Sequence, residues 1–525
     1  MRGTIIHMQA TPAHHDGRWL FLALAAATLA FAFALRYPSL FEPRWYGDEG
    51  IFAGVATNIR EGRTLYAQAW DNKPPLIFYT YAAAQSTLGS SVFALHLWAT
   101  ISVLATQATV IAVAAQLFGQ RRALVAGALF ALAMGTPVIE GNLALTETFM
   151  ILPTSLGVLA FVLTERAPEG RRVAGYIASG AMFGVAAGFK QVAVFDLAAV
   201  MVMVLAMHER PRRALLALAT GFVAPQLAWS ALFVANGAFS EYWYAIAGSL
   251  RVYSEWAPYE GPFLRVAGYL PALMAIAWLV RRRQLGEEIT LGALPVVWLG
   301  LAFSGATSST FPFPHYLQQA APACALVVAS NPLRWERDGL SRALLGVAAV
   351  LVAAIIVGRF GPEFGVRKQV NPVRYYTTFV EHRWGTMSDQ DYDYRFDGKV
   401  LAVNDIVAYT RQDGAGDSMF AWGELPWLYA AGGYTNPSRY YSSFLGELIP
   451  GARPNIMRDL EARPPVYIVV SDAAYSPFPE LDAFIGGRYS LLRGQGDWRL
   501  FRLDGVDGRL APAGATAGSG SGGER

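Results

Sequence analysis

Residues 19–35 read WLFLALAAATLAFAFAL, from Trp19 to Leu35, without a charge and between Arg18 and Arg36. A helix needs about 20 mostly apolar residues to cross a bilayer, with a range of about 17 to 25. This run is therefore a membrane span. The next charge-free stretch, Pro74 to Gln120, is too long for one span. It predicts a short interfacial helix at Pro74–Leu88 and a full span at Ser91–Phe118. Further apolar segments follow at Ala123–Ile139, Leu143–Leu163, Val173–Phe189, Gln191–Met207 and Ala214–Ala235. Others come later, at Val266–Val280, Ile289–Phe303, Leu317–Ala329 and Ala343–Val357. The expectation is an α-helical polytopic membrane protein of about eleven transmembrane helices.

Composition agrees. Of 525 residues, 54% are hydrophobic and 15% charged, where a soluble domain carries roughly 25% charge. Mean hydropathy is +0.30. So much apolar mass excludes global disorder, and the single cysteine, Cys324, excludes a disulfide scaffold. With 42 basic and 39 acidic residues the net charge is +3, too balanced for a nucleic-acid binder.

The basic residues set the orientation. With the N-terminus inside, the inner turns carry Arg121 and Arg122; Arg166, Arg171 and Arg172; and Arg210, Arg212 and Arg213. They also carry Arg281–Arg283, then Arg334, Arg337 and Arg342. The outer connections Glu140–Asn142 and Ser308–Tyr316 have no Lys or Arg, as the positive-inside rule requires. An odd number of spans puts everything after Val357 outside. Arg2 and Ala32-Phe33-Ala34 also fit a cleaved signal peptide, but the apolar run is long for a signal core.

Three outer stretches are more than turns. The loop 36–73 is polar and aromatic, and its apolar residues in Ile51–Ile59 recur at helical spacing. An amphipathic helix at the membrane interface is expected there. Asn236–Arg265 carries Trp243, Tyr244, Tyr253, Trp256 and Tyr259, which suit an interface belt or a sugar-binding surface. Beyond residue 358 charge returns to normal levels. Strand-like runs at Lys399–Val403, Ser418–Trp422, Pro465–Val470 and Trp498–Leu503 alternate with helical stretches at Ile456–Ala462 and Glu480–Ile485. They predict a small C-terminal α/β extracytoplasmic domain over 359–510 beside a transmembrane domain over 1–358. The Gly/Ala/Ser-rich residues 511–525 read as a disordered tail.

Candidate chemistry gathers on the outer side. Asp48 and Glu49 precede a helix and read either as a cap with a first-turn acid or as a general base. Asp71-Asn72-Lys73-Pro74-Pro75 fixes Lys73 at a helix start, where an ammonium pairs with a phosphate or simply snorkels. Glu147 lies about one turn inside its span, where a carboxylate is functional by default, the alternative being a buried, internally paired structural acid. Glu140 reads as a loop residue. Lys190 interrupts two apolar runs, and Asp196 lies one to two turns deeper. Pro312-Phe313-Pro314-His315-Tyr316 opens a span and offers donors to an anion, or an aromatic belt. No Cys/His metal set, Walker loop or G-x-S-x-G elbow occurs.

Taken together, Gly47-Asp48-Glu49, Asn72-Lys73-Pro74-Pro75-Leu76, Leu117–Arg122, Thr146-Glu147 and Phe313-Pro314-His315-Tyr316 resemble the GT-C class of membrane glycosyltransferases. The nearer likeness is to bacterial relatives of protein O-mannosyltransferase and of the lipid A aminoarabinose transferase. The resemblance covers about the first 330 residues. It implies a polyprenyl-phosphate-linked sugar donor and an acceptor hydroxyl on a glycan, lipid or protein, with membrane lipids as surroundings and no nucleic acid. It further implies Asp48 as catalytic base, Glu147 as a second catalytic acid and Lys73 as the phosphate ligand. Glu49, Asp71, Lys190, His315 and Tyr316 join the substrate-binding set. The class usually inverts the anomeric centre by direct displacement. No cofactor is assigned, and a divalent cation stays open. Asn72 stands where the aminoarabinose transferase pattern has an acid, which leaves sugar and acceptor open. The implied location is a bacterial inner membrane with the active site outside. A lipid-linked glycan polymerase or ligase, or a transporter, is the other reading. The transporter's paired broken helices are not evident.

Overall fold

The computed structural model describes residues 13–256, 266–309, 311–362, 371–472 and 476–513. The expectations for Arg2, Tyr259 and residues 514–525 lie outside these. The described residues up to 362 are mostly helical, in α1 (Ala13–Arg36), α2 (Gly47–Arg60), α3 (Leu76–Leu88), α4 (Val92–Phe118), α5 (Gln120–Gly135), α6 (Thr146–Glu165), α7 (Glu169–Ala187), α8 (Val194–Met207), α9 (Arg212–Ala235), α10 (Leu270–Gln284), α11 (Leu294–Thr307), α12 (Ala321–Ser330) and α13 (Gly339–Ile355). Among the described residues, 5 helices are long and apolar enough to cross a membrane: Gly17–Phe41, Val92–Phe118, Thr146–Glu165, Arg212–Ala235 and Gly339–Phe360. Gln191–Met207 and Leu291–Thr307 are apolar but shorter. Several apolar runs end in tighter or wider turns than an α-helix. The run Leu317–Ala329 begins in a 3-10 helix, Pro314–Ala320, and Ala343–Val357 passes into a π-helix, Ile356–Phe360.

Small residues let the bundle close. A Cβ on Gly180 of α7 would overlap the Leu218 carbonyl oxygen of α9, and one on Gly221 of α9 would overlap that of Ile177. Such close backbone approach is how helices associate where lipid removes the hydrophobic drive. Apolar side chains of the bundle, Trp278, Trp298 and Phe161 among them, are buried in one cluster.

The C-terminal region holds a four-stranded sheet of order β1-β2-β4-β3, made of β1 (Met419–Trp422), β2 (Tyr467–Ser471), β3 (Tyr489–Gln495) and β4 (Trp498–Leu503). β1 and β2 are parallel, while β4 runs antiparallel to both β2 and β3. The run at Lys399–Val403 is corrected: it opens a helix, Lys399–Asp413, not a strand. Its Val400, Val403, Ile406 and Val407 are buried at helical spacing, so packing overrides the β-branched bias. β3 had no counterpart in the sequence reading.

This region shares one core with the first loop and α3. Ile51, Phe52 and Val55 of α2 are buried with Trp427, Tyr429 and Tyr441, each contributing about 1.5–3 kcal/mol relative to exposure. A Cβ on Gly50 would sit 2.9 Å from Pro426 and Trp427. The expected interfacial helix is therefore α2 covered by the C-terminal region: residues 49–58 are all buried. Trp427 donates its indole N–H to the Tyr46 carbonyl at 2.9 Å, and Trp70 donates its backbone N–H to Arg439 O at 2.8 Å.

Candidate active site

The site forms where the first loop, the start of α6, the end of α7, the Pro314–Ala320 turn and the C-terminal region meet. Asp48 lies in the first turn of α2, after Tyr46 as N-cap, so it is not itself the cap. Consecutive helical residues point about 100° apart, and this separates the two acids. Asp48 lines a cavity of about 170 Å³. Glu49 turns inward, 1% exposed, where it meets His96 Nε2 at 2.9 Å and accepts the Ala144 N–H at 2.6 Å. That carboxylate ties α2 to α4 and to the loop before α6, and it does not line the cavity.

Lys73 is held by its own backbone. Asp71 Oδ1 accepts the Lys73 N–H at 2.9 Å, and Tyr66 donates its hydroxyl to Lys73 O at 2.8 Å. Leu76 N–H, just past the double proline, reaches Gly188 O at 2.9 Å. The ammonium donates to Asn72 Oδ1 at 2.9 Å and stands 4.0 Å from Asp71. Burial pushes the Lys73 pKa down, but Asp71 and Asp48 outweigh it, and the net shift is upward. Burial raises the Asp71 carboxyl against the opposing pull of Lys73.

Opposite, Glu147 is bonded to the Lys190 ammonium and accepts the Thr146 hydroxyl at 2.7 Å. Lys190 also sits 3.8 Å over the Tyr316 ring, a cation–π contact. His315 places Nε2 3.9 Å from Glu147 and Nδ1 2.6 Å from Glu140. Tyr46 OH lies 3.3 Å from both Glu140 and His315 Nδ1. Glu140 adopts a left-handed conformation, φ 53°, at the end of the turn Pro137–Ile139, which swings its carboxylate inward.

Asp48, Asp71, Lys73, Lys190, His315 and Tyr316 thus line one cavity, and Glu147 stands behind it on Lys190 and His315. Asp196 is separate and receives Trp298 Nε1–H at 2.6 Å and Gln319 Nε2–H at 2.7 Å. Two acids escaped the sequence reading. Glu140 looked like a loop residue, although an outer connection free of Lys and Arg was a usable signal. Glu424, from the C-terminal region, lines the cavity with no signal in its own stretch. Chemically the cavity offers a first-turn carboxylate facing two ammonium groups and an imidazole, an arrangement suited to moving a proton beside an anion. Among the described residues, no group of three or more His, Cys, Asp or Glu side chains is arranged to hold a metal ion.

Over residues 72–232 the sequence matches the family of dolichyl-phosphate-mannose-protein mannosyltransferases. The fold is similar to that of ArnT from Cupriavidus metallidurans bound to undecaprenyl phosphate. That likeness has a TM-score of 0.56 at 14% identity, over 93% of this chain and 98% of that one. The oligosaccharyltransferase of Archaeoglobus fulgidus in the apo form matches at TM-score 0.46 and 11% identity, over 91% of this chain and 73% of that one. No curated protein matches the sequence. The chain is thus similar to GT-C glycosyltransferases in sequence over residues 72–232 and in fold over most of its length, as the resemblance implied.

Proposed function

We propose that the protein transfers a sugar from a polyprenyl-phosphate carrier to an acceptor hydroxyl on a glycan, lipid or protein. The observation that carries this reading is the convergence of Asp48 with Lys73, Lys190 and His315 on one cavity. In the proposed step the Asp48 carboxylate takes the proton of the acceptor hydroxyl. The acceptor oxygen bonds to the anomeric carbon as the bond from that carbon to the phosphate oxygen breaks. The electron pair leaves with polyprenyl phosphate, whose growing charge Lys73 stabilises, and the anomeric centre inverts. A preorganised cation where charge develops lowers the barrier more than one that must be recruited. Glu147 acts as the second acid, holding Lys190 and facing His315. Asp71 orients the Lys73 loop, and Tyr316 carries Lys190 on its ring. Glu49 acts by fixing α2.

The proposal includes about eleven spans, counting shorter helices such as α8 and α11, with the N-terminus inside. It places the cavity on the outer face of a bacterial inner membrane, beneath a domain spanning 359–510. The family match over residues 72–232 and the ArnT-like fold support the reading.

The test is turnover of a panel of polyprenyl-phosphate sugars by the full chain in lipid nanodiscs, followed as release of polyprenyl phosphate. Asp48→Asn is expected to keep donor binding while losing about 10²- to 10⁴-fold in turnover. Undiminished turnover in that variant removes Asp48 as base. Absence of turnover with every donor, despite binding, favours a transporter.

A further inference from the structure

The cavity has a roof that the proposed chemistry does not use. Glu424 follows β1 at the end where β1 and β2 run parallel, the edge at which such strands present groups to a ligand. One of its carboxylate oxygens accepts the Ser443 hydroxyl at 2.7 Å and the Phe444 N–H at 2.9 Å. Both bonds are made by Oε1, and they aim the side chain without tying Oε2. Burial pushes this carboxyl up, against those two hydrogen bonds, and Asp48 pushes it the same way as burial.

Beside Glu424 stands a wall of flat rings. Tyr253 packs at 4.8 Å from Phe311 and edge-on to Phe444 at 6.3 Å. Phe311 stacks on Phe313 at 5.5 Å with 5° between planes, and Phe313 stacks on His315 at 5.5 Å. A phosphate is served by Lys73, whose ammonium stands 6.0 Å over the Tyr253 ring, and needs neither Glu424 nor Phe444. A carboxylate oxygen next to aromatic faces matches a pyranose ring, whose hydroxyls donate hydrogen bonds and whose C–H face packs on an aromatic ring.

We propose that Glu424, with Tyr253 and Phe444, forms a subsite for a sugar ring, Glu424 accepting hydrogen bonds from its hydroxyls. This rests on the glycosyltransferase reading for its place in the reaction, though the sugar chemistry of the subsite stands apart from it. The ring belongs either to the donor or to a glycan acceptor.

Three measurements on the full chain in nanodiscs, two of binding and one of turnover, separate these. The first compares polyprenyl phosphate with polyprenyl-phosphate mannose and polyprenyl-phosphate glucose. The second follows turnover against the concentration of methyl glycosides as acceptor probes. The third follows direct binding of the same methyl glycosides without lipid. Each is run on wild type, Glu424→Gln and Phe444→Leu, the latter keeping the readout if the former does not fold. A loss of about tenfold for the sugar-bearing lipids but not for the bare lipid assigns the donor sugar. Unchanged donor binding, with about a tenfold higher methyl glycoside requirement, assigns the acceptor. Equal losses for bare and sugar-bearing lipid, or no loss in any arm, overturn the subsite. Methyl glycoside binding that depends on Glu424, without turnover of any donor, keeps the subsite and sinks the transferase reading.

Discussion

The two ends of the helical bundle treat charge differently. At the end with the arginine turns, charges settle in local, partly exposed pairs: Arg281 with Asp338 at 3.2 Å and Arg282 with Glu287 at 2.6 Å, Arg282 also reaching Glu336 at 3.8 Å. At the other end, residues from α2, α6, the loop after α7 and the Pro314–Ala320 turn converge on one cavity under the C-terminal region. The difference is the cover. Where solvent reaches, a pair contributes little. Under a roof, removing any one partner leaves the rest buried and uncompensated.

That contrast can be broken most severely at Lys190. Lys190→Met leaves Glu147 buried beside His315 without its ammonium. A stability loss of about 3–5 kcal/mol is expected, read as a lower melting temperature in nanodiscs. A smaller fall follows in Lys73→Ala. Its ammonium makes one hydrogen bond, to Asn72 Oδ1, and stands 4.0 Å from Asp71, so the stability loss is expected to be smaller than at Lys190. Donor binding should weaken by about 1.5–3 kcal/mol, the usual worth of a charged hydrogen bond, measured by titration with polyprenyl phosphate.

Acidity sharpens the same point. Asp71 and Asp48 hold the Lys73 pKa above its ordinary 10.5 despite burial. The charge is therefore fully present below the unfolded value and lost only as pH rises through the higher folded one. Polyprenyl phosphate binding should stay flat through about pH 7 to 9, well below the usual lysine range. A decline there would show Lys73 deprotonating early. The smallest effect is expected at the opposite end. Arg281→Ala should change melting temperature little and turnover not measurably, because the pair is partly exposed and Asp338 keeps its bond from the Ser341 N–H. A clear loss of turnover would join the two ends and undo the contrast.

The sequence displayed the bundle and half the cavity because membrane segments and helix starts leave strong local marks. Lys73 stands before two prolines, His315 after one, and Lys190 between two apolar runs. Glu140 left only a weak one, an outer connection free of Lys and Arg. Its partner His315 lies far along the chain, and only a left-handed turn brings the carboxylate to it. Glu424 was hidden for a similar reason, since a half-buried acid in an ordinary α/β segment looks like any surface glutamate. β3 was missed because its register shifts between Leu491 and Arg493, which breaks the alternation that marks a strand. Lys399–Val403 misled in the other direction, its two valines suggesting a strand where packing made a helix.

The anchoring of the lysine loop bears on how the protein is made. The segment before Lys73 is tied to Arg439, and the one after it to Gly188. Its two moorings are thus synthesised far apart in time. A nascent chain released after its helices have inserted would own every cation of the cavity and still lack the strap and roof that hold it shut. Competence then comes only once the region from residue 419 onward has been made. A premature stop between residues 358 and 419 should yield an inserted but idle protein, with the buried face of α2 left uncovered.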